Sequence, residues 1–262
     1  MTAMRPLTDC HAHTELSYCA DGVLTIEVYR AALDDPGCIV ARQALTNHGF
    51  QAYFPPDIAW SWAFLDRPAL FDRHLARGDE RLSAFKEKVE DCRDDRLIFG
   101  VEVELMGDGR LTISDALRAE AQLLLGSLHV MPRVYHKGHL PAQAIESFLA
   151  YLRDLAAAGV DVIAHPFRWL HESDMPIPQE CIDETVAIAK THGLALELSA
   201  RGRGEPALAL IKACVAAGVP LALATDAHSL AEVGRLQPAV EQIESAGFSL
   251  DRVPLFDGRP PS

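Results

Sequence analysis

The stretch LTDCHAH, residues 7–13, places two histidines at the end of a short run of apolar and β-branched residues. His11 and His13 alternate with Cys10 and Ala12, so in a strand both imidazoles point to the same face. Two imidazoles on one face can hold one metal ion. The Gly-rich phosphate-binding turn that would indicate a doubly wound open sheet is absent after this run. The stretch therefore predicts a strand that ends in metal ligands.

Similar runs follow along the chain and alternate with amphipathic helical stretches. The seven predicted strands are Leu7–His13, Ile39–His48, Leu97–Leu105, Gln122–Val130, Val160–His165, Leu194–Ser199 and Pro220–His228. The predicted helical stretches include Leu24–Leu33, Arg81–Cys92, Pro141–Ala158, Gln179–Thr191, Glu205–Ala217 and Leu230–Ala246. This alternation predicts repeated βα units in an α/β fold with a mostly parallel sheet. Seven units favour a closed or nearly closed (β/α)7 barrel over an open sheet.

Residue types that bind metals stand at the carboxyl ends of most of these strands. They are His11, His13, His48, Glu102, His129, His165, Asp226 and His228. In a βα barrel the carboxyl ends of all strands open onto one rim, so these side chains should meet there. An isolated histidine near a strand end is usually structural, but repetition along six strands predicts a shared metal site. We interpret His74, His171 and His192 as structural, because they fall in helical or loop segments.

The carboxylates predict how such a site is organised. Glu102 can bridge two ions with its two oxygens, which a histidine cannot do, and Glu104 is the alternative because it lies on the same strand face. Asp226 and His228 repeat the i, i+2 spacing of the first histidine pair. Mixed oxygen and nitrogen ligation of this kind suits zinc, manganese or iron.

Composition limits the class of protein and of partner. With 262 residues, 49% of them hydrophobic, the chain is expected to form a single domain over residues 1–262. The formal net charge of −13 disfavours long nucleic acid as a partner and favours a small substrate. The oligomeric state is not predicted.

Location is predicted from what the sequence lacks. No stretch has the roughly 20 apolar residues of a membrane span, and the start of the chain does not resemble a signal peptide. The six cysteines are scattered without a CxxC pair, which favours free thiols in a reducing compartment. We therefore expect a cytoplasmic protein without membrane association.

Seven motifs, taken together, resemble a known family. They are DCHAHT, LTNHG, GVEVE, GSLHV, IAHP, LELS and ATDAH, spread over residues 7–228. Their order and spacing are similar to those of the polymerase-and-histidinol-phosphatase (PHP) family. The resemblance implies a distorted seven-stranded βα barrel, a site for two or three zinc, iron or manganese ions, and hydrolysis of phosphate esters.

The resemblance also implies which residues share an ion. His11, His13, Glu102 and Asp226 correspond to the ligands of one metal, Glu102, His129 and His165 to those of a second, and His48 and His228 to those of a third. Many relatives complete the third site with a histidine where this chain has Cys19. A thiolate would favour zinc or iron over manganese, and an ordinary loop thiol is the alternative. A second departure is Asn47, where relatives usually have an aspartate beside the histidine; Asp9 is a candidate to support the first histidine pair.

This ligand set predicts a direct hydrolytic mechanism. Two ions would bind the phosphate oxygens and activate a water molecule for in-line attack. The predicted catalytic side chains are Asp226 and His228, one of which would protonate the leaving oxygen.

Residues beyond the strand ends are candidates for substrate contact. Guanidinium groups match phosphate oxygens, and four arginines follow predicted strands: Arg133, Arg168, Arg201 and Arg203. The segment 51–79, which contains Trp60 and Trp62, is the longest interruption between strands and could form a cap, although both tryptophans could equally be packing residues. The loop with Tyr135, His136, Lys137 and His139 is a second candidate.

The sequence thus predicts a metal-dependent phosphoesterase of small phosphate monoesters, with histidinol phosphate the nearest named substrate. One alternative is a nucleotide phosphodiesterase or nuclease of the same family. The other is a non-catalytic metal-binding module.

Overall fold

Seven short parallel strands build the sheet in the part of the chain that the computed structural model describes, residues 6–202 and 206–258. They are β1 (Leu7–Asp9), β2 (Val40–Leu45), β3 (Leu97–Glu104), β4 (Leu123–Ser127), β5 (Val162–Ile163), β6 (Ala195–Ser199) and β7 (Leu221–Ala224). Each strand pairs in parallel with the next strand along the chain. The sheet order therefore follows the sequence, as repeated βα units require.

Hydrogen bonds between the first and last strands close this sheet into a barrel. The Cys10 amide donates to the Leu223 carbonyl at 2.8 Å, and the Asp226 amide donates to the His11 carbonyl at 2.8 Å. Ala12 and Ala227 form a parallel bridge just beyond these contacts. An open doubly wound sheet would keep its edge strands apart. The predicted α/β barrel with seven parallel strands is therefore confirmed, and it is nearly closed.

Helices connect the strands and cover the outside of the barrel. Those in the described ranges are α1 (Ile26–Leu33), α2 (Gly49–Tyr53), α3 (Pro56–Ser61), α4 (Ala63–Asp66), α5 (Ala69–Asp91), α6 (Asp115–Glu120), α7 (Pro141–Ala157), α8 (Arg168–Glu172), α9 (Gln179–His192), α10 (Ala207–Ala217) and α11 (Gln237–Ser245). Single 3-10 turns occur at Arg133–Tyr135, Leu230–Glu232 and Leu250–Arg252. Two of the longer helices, α9 and α10, end at glycines with left-handed backbone, which satisfies the last carbonyl groups.

The core has two parts, one between the helices and the sheet and one inside the barrel. Along β3, Phe99, Val101 and Val103 belong to the outer part, whereas Ile98 belongs to the inner part. The inner part contains small and medium apolar side chains: Cys10, Ala44, Ile98, Leu123, Leu125, Val162, Ala164, Ala195 and Ala222. Alternation along each strand thus directs every second residue of β3, including Glu102, into the barrel.

The predicted bounds were wrong for several strands and for two helices. Several strands end earlier than predicted, and β5 contains only Val162–Ile163. The Ala164 amide still donates to the Gly126 carbonyl, but His165 has a φ of 26° and leaves the extended backbone of the strand. The helix predicted over Leu230–Ala246 is broken, since Gly234 adopts a φ of 70° and Pro238 stands in the first turn of α11. Helix α5 begins at Ala69 rather than Arg81.

The segment 51–79, predicted as a possible cap, is mostly helical. It contains the end of α2, all of α3 and α4, and the first half of α5. Gly78, a poor helix former, lies inside α5 because a Cβ there would come within 1.9 Å of the Tyr53 ring. This close contact packs α5 against α2, which follows directly on His48.

The cysteines do not pair with one another. All six are free, and Cys10, Cys181 and Cys214 are buried. Burial raises the pKa of the Cys181 thiol to about 11 and that of Cys214 to about 12, so both remain protonated at neutral pH. None of the helices in the described ranges combines the length and apolar character that crossing a membrane requires.

Candidate metal centre

Polar side chains gather at the rim where the parallel strands end. His11 and His13 follow β1, and His48 follows β2. Glu102 lies near the end of β3, and the remaining members follow the later strands: His129, His165, Asp226 and His228. Apart from His129 and His228, which are partly buried, these side chains are buried. The barrel thus brings residues from remote parts of the chain to one location.

One oxygen of the Glu102 carboxylate faces three histidines. Glu102 Oε2 lies 2.6 Å from His48 Nδ1 and 3.3 Å from His11 Nε2. The same oxygen lies 3.6 Å from His13 Nε2. Both His48 Nδ1 and Glu102 Oε2 lack a hydrogen-bond partner of suitable geometry, although they are buried. These atoms therefore converge on a common space without satisfying one another.

The other oxygen of Glu102 faces a second set of histidines. Glu102 Oε1 lies 3.0 Å from His165 Nε2 and 3.6 Å from His129 Nε2. Glu104, the alternative central carboxylate, lies behind this set: its Oε1 accepts from Ser127 Oγ at 2.8 Å and contacts His129 Nδ1 at 2.5 Å. The geometry therefore favours Glu102 as the bridging residue and gives Glu104 a role in orienting His129.

Asp226 lies across the cluster from β3. Its Oδ1 is 3.2 Å from His13 Nε2 and 3.7 Å from His11 Nε2. His228 Nδ1 lies 3.4 Å from the same oxygen. Asp226 and His165 both have left-handed backbone, with φ values of 49° and 26°. Backbone of this kind is unusual for residues other than glycine and often occurs at functional sites.

The spacing of these atoms fits bound metal ions. Ligand atoms at about 2.0–2.2 Å from a tetrahedral ion lie roughly 3.3 Å from one another. Most distances between ligand atoms here are 3.0–3.7 Å. The described residues contain three sets in which the ligand atoms all lie within 4.8 Å of one another: His13, His48 and His228; His11, His13 and Glu102; and His48, Glu102 and His129. Imidazole and carboxylate donors of this kind suit zinc, iron or manganese.

Charges within the cluster set the protonation of its carboxylates. Burial alone would raise the pKa of Glu102, but the imidazoles of His48 and His11 hold it well below its usual value. The pKa of Asp226 is likewise held low, against burial, by His11 and His13. Burial and the charge of Glu102 raise the pKa of Glu104 to about 8. Glu102 and Asp226 are therefore the anionic carboxylates available to a cation.

Buried polar groups orient the first pair of histidines. Glu197 Oε2 accepts a hydrogen bond from His11 Nδ1 at 2.8 Å, which leaves His11 Nε2 free to bind a metal. Ser17 Oγ donates to Asn47 Oδ1 at 2.9 Å and lies 3.2 Å from His13 Nδ1, from which it can accept. Sequence reasoning missed Glu197. The available signal was a single acidic residue inside the apolar run ALELS.

Asp9, the predicted support for the first histidine pair, and Asn47, which replaces the usual aspartate, accept hydrogen bonds from nearby strand and loop residues rather than from an imidazole. Asp9 accepts from the Thr225 amide at 2.9 Å and from Thr225 Oγ1 at 2.6 Å, so it helps to join β1 to β7. Asn47 Oδ1 accepts from the Thr14 amide at 2.8 Å and thereby holds the loop that follows His13. Asn47 thus supports the site through this loop rather than through its neighbour His48.

Cys19 lies beside the third set of predicted ligands. Its Sγ is 3.5 Å from Gln51 Nε2. Burial opposes ionisation of the Cys19 thiol, but hydrogen bonds with His228 and His48 lower its pKa to about 6. Cys19 is exposed and lines the same cavity as His48 and His228, but none of the three sets of nearby ligand atoms includes it, so its role as a ligand stays a prediction.

A cavity of about 430 Å³ opens above the histidines, and two of the predicted arginines line it. Arg201 Nη1 donates to the Asp226 carbonyl at 3.0 Å and lies 2.9 Å from His228 Nδ1. Arg168, at the start of α8, donates from Nε to Glu172 at 2.8 Å. The cavity thus places two guanidinium groups next to the cluster, each paired with a carboxylate: Glu172, which also lines the cavity, and Glu232, which lies 3.0 Å from Arg201 Nε.

Other candidates for substrate contact lie elsewhere. The side chain of Arg133 is 91% exposed and pairs with Asp66, outside the lining of the cavity. Arg203 falls outside the described residues. In the loop after β4, Tyr135 donates to Asp154, and the His136 and His139 rings make an edge-on contact with their centroids 4.7 Å apart. None of that loop from Arg133 to His139 contributes to the cavity lining.

Comparison with known proteins agrees with this architecture. The PHP domain profile matches residues 9–201. A probable phosphatase of Thermoanaerobacter sp. (strain X514) is 25% identical over 262 residues, which cover 95% of this chain and 90% of the relative. A probable phosphatase of Shewanella loihica is 24% identical over 260 residues, with coverage of 95% and 89%.

A solved structure shares the fold. Histidinol phosphate phosphatase from Lactococcus lactis subsp. lactis, in complex with zinc, L-histidinol and phosphate, aligns with a TM-score of 0.57 and 15% identity. The alignment covers 92% of this chain and 94% of the other. At this identity the likeness concerns the fold alone. The family profile, in contrast, covers most of the chain, and the chain therefore belongs to the PHP domain family.

Proposed function

We propose that the chain is a metal-dependent phosphoesterase that hydrolyses a small phosphate monoester. The observation that carries this proposal is the position of Glu102, whose two oxygens face two different sets of histidines. A carboxylate so placed can bridge two cations, and the arginines of the adjacent cavity can receive a phosphate. The names of the curated relatives, which are probable phosphatases, support the same class of reaction.

The proposed ligand sets are those that the family resemblance implies, and they overlap the three sets of nearby ligand atoms without matching them. His11, His13, Glu102 and Asp226 would hold one ion, and Glu102, His129 and His165 would hold a second. Cys19, His48 and His228 would hold a third, for which the thiol favours zinc or iron. Bound divalent ions would supply Lewis-acid activation of water and neutralise phosphate charge.

The protein's own groups would bind the phosphate and complete the proton transfers. Arg168 and Arg201 would bind phosphate oxygens, because guanidinium groups offer paired donors in a plane. Of the two predicted proton donors, Asp226 is the weaker candidate, since neighbouring imidazoles hold its pKa low. His228, at the cavity surface, is the better candidate for protonating the leaving oxygen in a site that holds two ions, in which His228 is not a ligand.

For the substrate, we propose a small molecule of the size of histidinol phosphate. The cavity of about 430 Å³ lies within the usual range of small-ligand sites, about 300–1,000 Å³. The structural neighbour was solved with L-histidinol and phosphate, which makes histidinol phosphate the first compound to test. The net charge of −13 opposes binding of long nucleic acid.

The test is a phosphate-release screen of the purified protein, stripped of metal and reloaded with zinc, iron or manganese. The panel contains histidinol phosphate, sugar phosphates, nucleotides and an oligonucleotide. We expect release from small monoesters only after reloading. Cleavage of the oligonucleotide would favour the nuclease alternative. Metal binding without hydrolysis of any ester would favour a non-catalytic metal-binding module.

A further inference from the structure

Three aromatic side chains form one side of the cavity above the metal centre. This aromatic wall consists of Phe50, Trp60 and Trp62. The ring of Trp62 stacks against that of His129, a proposed ligand, at 5.7 Å and 26°. Phe50 lies 4.6 Å from Trp62 and 6.3 Å from Trp60, between ring centroids. The wall therefore extends from the proposed reaction centre towards the mouth of the cavity.

The position of the two tryptophans is not explained by packing alone. Trp60 is 48% exposed, although exposure of a large aromatic ring to water is unfavourable. Trp62 occupies the junction of α3 and α4 with left-handed backbone, φ 55° and ψ 11°. A bulky side chain seldom adopts this conformation, and backbone outliers of this kind cluster at active sites and ligand-binding sites. Buried Phe50 supports both rings from behind.

The cavity has two chemically different sides. Arg168 and Arg201 line it together with the metal-site histidines, and these groups suit a phosphate. The aromatic wall carries no charge and suits an apolar or planar group. A phosphate monoester bound between them would direct its alcohol part along the aromatic wall.

From this arrangement we propose that the aromatic wall selects phosphate monoesters whose alcohol part carries a planar ring. The inference rests on the proposed function and adds a substrate class to it. Trp60 and Trp62 are then specificity-determining residues that stack on the ring of the substrate. Stacking favours a flat ring over a saturated ring of equal size, because only a flat ring presents a π-face.

The experiment compares two non-hydrolysable probes, phenylphosphonate and cyclohexylphosphonate, which differ mainly in planarity. Their dissociation constants are measured by calorimetry on the metal-loaded protein. We expect phenylphosphonate to bind about tenfold more tightly. Trp60→Leu and Trp62→Leu should reduce this preference while the affinity for cyclohexylphosphonate changes by less than about twofold. Trp169→Leu is the matched control, because Trp169 lies outside the cavity lining and should leave the preference unchanged.

Two outcomes would overturn the inference in different ways. If the protein hydrolyses small phosphate esters but binds both probes equally, or if the preference survives in both variants, the aromatic wall has no role in selection and the proposed function stands. If neither probe binds and no ester is hydrolysed, the proposed function fails and the inference fails with it.

Discussion

The two ends of the barrel interior use the same strand positions for opposite purposes. On β3, Ile98 and Glu102 point into the barrel, yet Ile98 packs among apolar side chains and Glu102 lies among histidines. Gly100 stands between them, where a Cβ would come within 2.9 Å of the Leu123 carbonyl oxygen. One end is thus a packed core and the other a polar cluster. The comparison teaches that strand alternation decides which side chains enter the barrel, and position along the strand decides what they do there.

The largest expected effect concerns the polar end. Glu102→Gln keeps the size of the side chain but removes the charge that both sets of histidines face. We expect phosphate release to fall by about 1,000-fold or more, because the bridging ligand is lost. Glu104→Gln, the matched control, removes only support for His129 and should cost about 10- to 100-fold. Steady-state rates with a small phosphate ester give both values. A larger loss in Glu104→Gln would reverse the assignment of the central carboxylate.

A substitution at the apolar end of the barrel should reduce stability rather than activity. Leu125 is fully buried in the inner core, so Leu125→Ala should lower the free energy of unfolding by about 2–5 kcal/mol. Denaturant titration measures this change, and metal content of the folded variant should stay unchanged. Loss of metal without loss of stability would show that the two ends are not separate in function.

A substitution of Glu197 tests whether the buried groups that orient the histidines contribute to metal binding. Glu197→Gln weakens the acceptor for His11 Nδ1, so affinity for zinc should fall by about 10- to 100-fold. Competition with a chelator measures this affinity. Glu184→Gln, an exposed carboxylate paired with Arg153, is the control and should bind zinc as the native protein does. Equal affinities in the two variants would leave Glu197 without a role at the site.

The smallest expected effect distinguishes Arg168 from Arg133, two arginines that both follow a predicted strand in the sequence. Arg168→Ala should raise KM about tenfold, because it removes a cavity charge next to the proposed phosphate position. Arg133→Ala removes only an exposed pair with Asp66, which contributes little, and should leave KM unchanged. A comparable rise in both variants would extend the substrate site to the loop after β4.

Sequence reasoning predicted the barrel and the residues that meet at its rim because both depend on periodic patterns. Apolar runs predicted the strands, and histidines or carboxylates at their ends predicted convergence. The short strand β5 shows why the bounds failed, since only Val162–Ile163 forms ladder pairs within a longer apolar run. The helix predicted from Arg81 was too short because Gly78, a poor helix former, interrupts the helical pattern of α5.

Roles that depend on contacts between distant loops were not predictable. Arg133 and Arg168 each follow a strand closely, and only the path of each loop decides which one reaches the cavity. Glu197 was missed because its partner, His11, lies 186 residues away in the chain. The hydrogen bond that Asn47 accepts from the Thr14 amide depends on the conformation of the loop after His13, which the sequence does not specify.

The central claim is that remote side chains jointly bind metal ions around Glu102. Elemental analysis of freshly purified native protein and of Glu102→Gln tests it most directly, with circular dichroism to establish that both are folded. We expect two or three equivalents of zinc, iron or manganese in the native protein and at least one equivalent fewer in the variant. Native protein without bound metal, or equal metal content in the two proteins, would contradict the account.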